Sequence, residues 1–432
     1  MSWDFETDAE YAAKLEWAAE LVRSEIEPLD LVLGDPFDKT NEEAEVLVAP
    51  LRRAVRDAGL WAAHLDPNLG GQGYGQLPLA LLNEVIGCSR WAPSVFGCQA
   101  PDSGNAEILA KFGTPPQRDR YLQPLLDGEI SSCYAMTEPH AGADPTLLRT
   151  SAVSDGDGWR ITGEKWFATN ARHAEFLIVV AVTNPDVDAY RGQSMFLVPK
   201  DAEGLEIVRN VGIGGEPSGT GTHAYLRFTD VAVGSSNLLG AEGQAFAIAQ
   251  TRLGGGRIHH AMRTIAQVRK AFDMMCERAL SRETRSGSLA RLGVVQEQIA
   301  DSWLQIEQFR LLVLRSAWLI DKHGDYRRVR KDISAVKAAM PIVYSDVARR
   351  ALHLHGALGV SDEMPFAHML VDAEVMGLAD GPTAVHKSVL AREVLKLHRP
   401  SESDFPSGHL PTLRAAARRH VADRLEREVA AL

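Results

Sequence analysis

The sequence predicts an α+β fold, with a helical N-terminal region, a compact middle β-domain and a C-terminal four-helix bundle. Three observations carry this expectation. Apolar residues recur at helical spacing through most of 6–131, and β-type runs broken by turn residues fill Ser131 to about Gly240. The helical period then returns after Gln244. No strand–helix–strand unit repeats, which argues against a doubly wound sheet. The expected boundaries are 1–131 for the N-terminal helical domain, 132–243 for the β-domain, 244–400 for the bundle and 401–432 for a tail helix.

Tyr11, Leu15, Ala18, Leu21, Val22, Glu25 and Ile26 keep a 3–4 spacing, which Pro28 is expected to stop. A second helix covers residues 42–58 and ends at Gly59. Asp66-Pro-Asn-Leu-Gly-Gly-Gln-Gly-Tyr-Gly75 is too rich in glycine for a regular element and leads into a helix over 78–89. Helices follow over 103–112 and 115–125, the latter opened by Pro115-Pro116. Phe176-Leu-Ile-Val-Val-Ala-Val182, Ser194-Met-Phe-Leu-Val198 and Ala224-Tyr-Leu-Arg-Phe228 read as strands, with turns at Asp155-Gly-Asp-Gly158, Asn184-Pro185 and Gly212–Gly221. In the bundle, Ile299, Trp303, Ile306 and Val313 form one stripe, and Ile333, Val336, Met340, Val343 and Val347 another. The tail has Pro400, Pro406 and Pro411, then a helix whose face carries Leu413, Ala417, Val421, Leu425 and Val429. Its arginines are interspersed with Asp and Glu, as on a solvated helix that packs on its own protein or a neighbour.

A chain of 432 residues can bury two or three cores, and 45% hydrophobic with 24% charged residues is ordinary for a soluble protein. A net charge of −11 argues against non-specific nucleic-acid binding. Any phosphate must then be met locally, by Arg or a helix N-terminus. Cys88, Cys98, Cys133 and Cys276 form no metal-like cluster and suggest buried free thiols in a reducing compartment. The acidic start, Met1 to Glu10, lacks the basic character of a signal or transit peptide, and no apolar run approaches a membrane span. The expected setting is cytoplasmic, without membrane or metal.

The stretch richest in chemistry is Tyr134-Ala-Met-Thr-Glu-Pro-His-Ala-Gly-Ala-Asp144, followed by Gly163-Glu-Lys-Trp-Phe-Ala-Thr-Asn170. A Met-Thr pair on one strand and Phe-x-Thr on the next suit a planar heteroaromatic ring, with faces to stack on and hydroxyls for edge atoms. Two buried strands with satisfied Thr hydroxyls would read the same way. Together these segments resemble the signature of the acyl-CoA dehydrogenase family. The resemblance continues through Gln99-Ala-Pro-Asp-Ser-Gly-Asn105, Gly254-Gly-Gly-Arg-Ile-His-His260 and Ala379-Asp-Gly-Pro382, over most of 1–400. These last motifs are similar to the branch that handles long-chain, branched or 4-hydroxyacyl-CoAs.

The resemblance implies an FAD enzyme that removes an α-proton and a β-hydride from a fatty acyl-CoA, leaving a trans-2-enoyl-CoA, with the hydride passing to flavin N5. Asp380 matches the family's base position, and the family's other base position is Gly256 here. Apolar neighbours are expected to raise the Asp380 pKa. A plain loop or helix-capping carboxylate would also account for Asp380. The oxyanion would be met by the Asp380 N–H and a ribityl hydroxyl. Arg257 matches the arginine beside the base; an ion pair with Asp380, a hold on its loop and a hold on CoA remain open. Tyr134, Met136, Thr137, Ala143, Phe167 and Thr169 map to the flavin contacts, as do Pro382 and Ala384. Arg282 maps to an FAD phosphate across a subunit interface, and the turn holding His353, Gly356 and Ala357 to the partner's cofactor.

This chain departs from the family at His353, Ala357, Ala143, Arg285, Pro382 and Ala384. Ala379 and Gly381 flank the base, and Ala379 leaves room for a long, branched or hydroxylated chain. Gln99 and Asp102 could face an oxygenated chain or cap the following helix. Expected partners are an electron-transfer flavoprotein and further copies of the chain, as homodimer or homotetramer. Two rival readings keep the fold: a flavin oxidase of a non-CoA carbon acid, similar to nitroalkane oxidase, or a non-catalytic acyl-CoA-binding relative.

Overall fold

The computed structural model describes residues 6–431 apart from 39, 215, 217, 218 and 220. The first five residues of the acidic start, and part of the Gly212–Gly221 loop, therefore lie outside the described residues. Helices α1 (Ala9–Leu21), α2 (Glu42–Asp57), α3 (Gln76–Ile86) and α4 (Asp102–Phe112) come first. Asp8 and Asn41 cap α1 and α2 through their side-chain oxygens. Pro28 does not stop the first helix. A π turn over Val22–Ile26 absorbs the missing N–H, and the chain stays helical through Glu27–Val32.

The middle of the chain forms one mixed sheet in the order β6-β7-β3-β2-β4-β5-β8, with β1 parallel to β4. Its strands are β1 (Ser132–Ala135), β2 (Ser151–Asp155), β3 (Gly158–Thr169), β4 (Phe176–Val182), β5 (Gln193–Pro199), β6 (Leu205–Val211), β7 (His223–Gly234) and β8 (Leu238–Leu239). The expected turn at Asp155–Gly158 is the β2–β3 hairpin. Strand β4 reads as an unbroken apolar run because both its faces are covered. Phe176, Ile178 and Val180 enter the core shared with the helices, while Leu177, Val179 and Ala181 enter the core of the β-domain.

A short hairpin, β9 (Glu283–Thr284) with β10 (Gly287–Ser288), follows the long helix α5 (Ala245–Ser281). Then come α6 (Gly293–His323), α7 (Tyr326–His355), α8 (Phe366–Leu378), α9 (Thr383–Leu395) and α10 (Leu410–Ala430). Helix α5 packs on α6, α7, α3 and α4, so it joins the bundle to the N-terminal helices. The stripe Ile333, Val336, Met340, Val343 and Val347 is buried. Trp303 departs from the other stripe. It sits about 60° from Ile306 around α6, at the edge of the buried face, and is largely exposed.

Cys98 and Cys133 are buried free thiols, whereas Cys88 and Cys276 are only partly covered. Among the described residues, no helix is long and apolar enough to cross a membrane.

Candidate active site

The turn after β1 is fixed by a buried carboxylate. Glu138 accepts from the backbone N–H groups of Arg149 and Thr150 and from Lys165 Nζ at 2.8 Å. The two side chains are 1% and 0% exposed. Burial pushes the Glu138 carboxyl up, but Lys165 and these donors more than offset it and hold it low. Burial lowers Lys165 to about 8. Lys165 also donates to the Met136 carbonyl at 2.9 Å, and the Trp166 N–H to the Thr137 carbonyl at 2.8 Å. The Met136–Thr137 segment is thereby tied to β3.

Strand β3 loses its regular register with β7 between Lys165 and Ala168, and Phe167 sits there at φ +52°. Phe167 is 43% exposed, and its ring lies beside Trp166 and His223. Thr169 Oγ1 pairs with His223 Nδ1 at 2.9 Å. An open aromatic face, two threonines and a thioether on adjoining segments fit a planar ring system. Ala143 follows on the exposed part of the turn.

Asp380 lies between α8 and α9 at φ +55°, followed by Gly381 at φ +106°. Asp tolerates this left-handed conformation better than most side chains. Two donors hold it there: Arg257 Nε at 2.9 Å and His386 Nε2 at 3.2 Å both reach the Asp380 carbonyl oxygen. Arg257 therefore grips the loop through its backbone, rather than pairing with the carboxylate. Ala379 closes α8 and Pro382 caps α9, whose Ala384 is exposed.

The Asp380 side chain is 17% exposed, with Oδ2 3.7 Å from His260 Nε2. A Cβ on Gly256 would stand 3.1 Å from that oxygen, so the bare glycine makes room for the carboxylate. The pKa departs from the sequence expectation. Burial pushes the carboxyl up, but His260, Arg252, Arg257 and Lys337 together pull it below its ordinary value. Burial keeps His260 neutral at pH 7, lowering it to about 4. The two arginines and Lys337, itself lowered to about 8 by burial, pull in the same direction as His260. Asp380 stands ionised in a cationic setting, not raised by an apolar one.

Tyr134 stands on the signature strand β1. Arg252 lies 4.0 Å over its ring, and burial, with Asp380 adding to it, pushes its phenol up to about 12. Gln99 accepts from Arg263 Nη1 at 3.3 Å, three residues along α5 from His260. Asp102 accepts from the N–H and hydroxyl of Ser132, both at 2.7 Å. The N-cap position of α4 is Pro101, which makes no side-chain cap bond. A hollow of about 750 Å³ opens at Asn184, Val187, Asp188, Arg191, Glu242 and Gly243, and no expected site residue lines it.

The remaining expected residues are not brought to this centre within one chain. Arg282 ends α5, 25 residues after Arg257, or about 38 Å along the helix. His353, Gly356 and Ala357 are exposed where α7 ends, at the opposite end of α8 from Asp380. Sequence reasoning missed Lys337, His386, Arg252 and the Glu138–Lys165 pair. Lys337 had a signal, since a lysine beside Val336 in a buried apolar stripe needs a partner; it donates to the Met376 carbonyl.

Three family models match in order: the acyl-CoA dehydrogenase N-terminal domain over 9–129, the middle domain over 133–231 and the C-terminal domain over 243–395. "Probable acyl-CoA dehydrogenase FadE2" of Mycobacterium tuberculosis is 42% identical, covering 83% of this chain and 88% of its own. Acyl-CoA dehydrogenase family member 11 of Rattus norvegicus is 35% identical over 87% of this chain. This chain spans about half the length of that relative, 49%. A solved structure of an acyl-CoA dehydrogenase candidate from Mycobacterium abscessus superposes with a TM-score of 0.84 at 35% identity, covering 91% of this chain and all of that one. The chain belongs to the acyl-CoA dehydrogenase family, a family of FAD flavoproteins.

Proposed function

We propose that the chain is an FAD-dependent dehydrogenase of fatty acyl-CoA thioesters, with Asp380 as the base that takes the α-proton. The observation that carries this reading is the Asp380 carboxylate: shielded, facing Gly256 and His260 on α5, the helix whose Arg252 lies over Tyr134 on the strand that leads into Met136 and Thr137. Bound FAD, held by Met136, Thr137, Phe167 and Thr169, supplies the acceptor for the β-hydride. Asp380 accepts the α-proton as the α,β double bond forms, and its N–H faces the thioester oxygen. Arg257 and His386 fix the peptide that carries both groups. The low pKa of Asp380 keeps it unprotonated at rest, and a substrate that displaces water raises its basicity.

The acyl group is long, branched or hydroxylated. The small Ala379 beside the base and the polar Gln99–Arg263 pair one turn from His260 support this. A second copy of the chain supplies Arg282, His353, Gly356 and Ala357 to the cofactor, which accounts for their exposure and distance from Asp380. Electrons leave to an electron-transfer flavoprotein.

Anaerobic titration of FAD-loaded protein with long-chain and 4-hydroxyacyl-CoAs tests the proposal. Flavin bleaching is expected, and Asp380→Ala should keep the colour while bleaching slows by about 10²–10⁴-fold. Undiminished bleaching in that variant removes Asp380 from the reaction.

A further inference from the structure

Every residue of α10 is exposed, including Leu410, Leu413, Val421, Leu425 and Val429. The C-terminal family match ends at residue 395, so this helix is an addition to the shared fold. Most helical stability in proteins comes from packing of an amphipathic face, so the exposed apolar residues of this helix call for a cover.

The charge pattern indicates which cover. Leu410 to His420 contains Arg414, Arg418 and Arg419 and no acid, whereas the second half carries Asp423, Glu426 and Glu428 beside Arg424 and Arg427. Anionic surfaces suit the first half only; an antiparallel copy of the same helix suits both. At 3.6 residues per turn, Leu410, Arg414, Ala417, Val421, Leu425 and Glu428 all project within about 40° of Val421. Laid antiparallel about a two-fold axis at Val421, two copies set Arg414 opposite Glu428 twice. The small Ala417 then lies opposite the large Leu425. Self-complementarity of this kind is what an isologous contact requires.

We propose that α10 is a pairing arm that docks antiparallel on α10 of a second copy of this chain, centred on Val421. The test uses full-length protein with Val421→Cys and a short bismaleimide, mapping cross-linked peptides by mass spectrometry. A 421-to-421 cross-link is expected as the main product involving this position. Adding Arg414→Glu places Glu opposite Glu and should lower its yield at least about tenfold at the ionic strength of a dilute buffer. Adding Glu428→Arg to that variant should restore it. Three results overturn the proposal: cross-links from 421 only to residues outside α10, a yield indifferent to Arg414→Glu, or no rescue by the charge swap. Arg414-dependent co-sedimentation with anionic lipid vesicles, without the 421 cross-link, assigns the arm to a membrane surface and overturns it too.

Discussion

Two shielded carboxylates, Glu138 and Asp380, show how the same group is made inert in one place and available in another. Glu138 is saturated: an ammonium in contact at 2.8 Å and two backbone N–H groups occupy its lone pairs. The Asp380 carboxylate has cations around it but, among the described residues, none within ion-pair reach; its nearest titratable neighbour is His260 at 3.7 Å. Distant charges keep Asp380 ionised, yet leave its oxygens free to take a proton. Contact, more than charge, separates a saturated carboxylate from an available one.

The same near-isosteric change at each position should break the comparison in opposite directions. Asp380→Asn should slow anaerobic flavin reduction by about 10²–10⁴-fold, with flavin absorbance and thermal midpoint nearly retained. Glu138→Gln should instead strand the Lys165 charge in the interior. We expect a loss of about 3–5 kcal/mol by chemical denaturation, with weakened flavin retention. Lys165→Met beside Glu138→Gln should recover part of that loss, because the uncompensated charge is gone. A Glu138→Gln variant as stable as the parent would show that the pair is not what fixes the signature turn.

Gly256→Ala sharpens the comparison by pressing on the free carboxylate. The new Cβ would lie 3.1 Å from Asp380 Oδ2, so the base must yield by a few tenths of an ångström. A misplacement of about 1 Å can cost ~10²-fold, so a loss of about tenfold in reduction rate is expected. Replacing a helical glycine by alanine favours the helix by up to about 1 kcal/mol. Activity and stability should therefore move apart, which stopped-flow reduction and thermal melting would read on the same sample.

Much of the candidate site was legible because local signals converged. Asp380 stood out as the remaining carboxylate at a family base position, and the Met136–Thr137 and Phe167–Thr169 segments showed a ring-binding pattern. The strand from Phe176 and the stripe from Ile333 were legible from periodicity, since each period maps directly onto burial. What stayed hidden depends on long-range packing. The cations that lower the Asp380 pKa come from α5 and α7, so reading only its neighbours along the chain gave the wrong sign. The π turn that carries the first helix past Pro28 left no pattern in its residues. Arg282 and His353 were accessible only through resemblance, because nothing near them in sequence points to a ligand.

The smallest expected effect isolates the role of charge without contact. Lys337 is buried, donates to the Met376 carbonyl, and acts on Asp380 through space. Replacing it by methionine removes one positive charge from a setting that also holds Arg252, Arg257, His260 and His386. The sign follows from the base needing to be unprotonated. Activity falls as pH drops through the Asp380 pKa; losing a nearby cation raises that pKa, so the acid limb of the reduction rate should move to higher pH. The plateau above it should change little, because the carboxylate keeps its place under Arg257 and His386. A limb that stays where it was while the plateau drops would make Lys337 a packing residue for the α8 terminus, and would leave the arginines alone responsible for the ionised base.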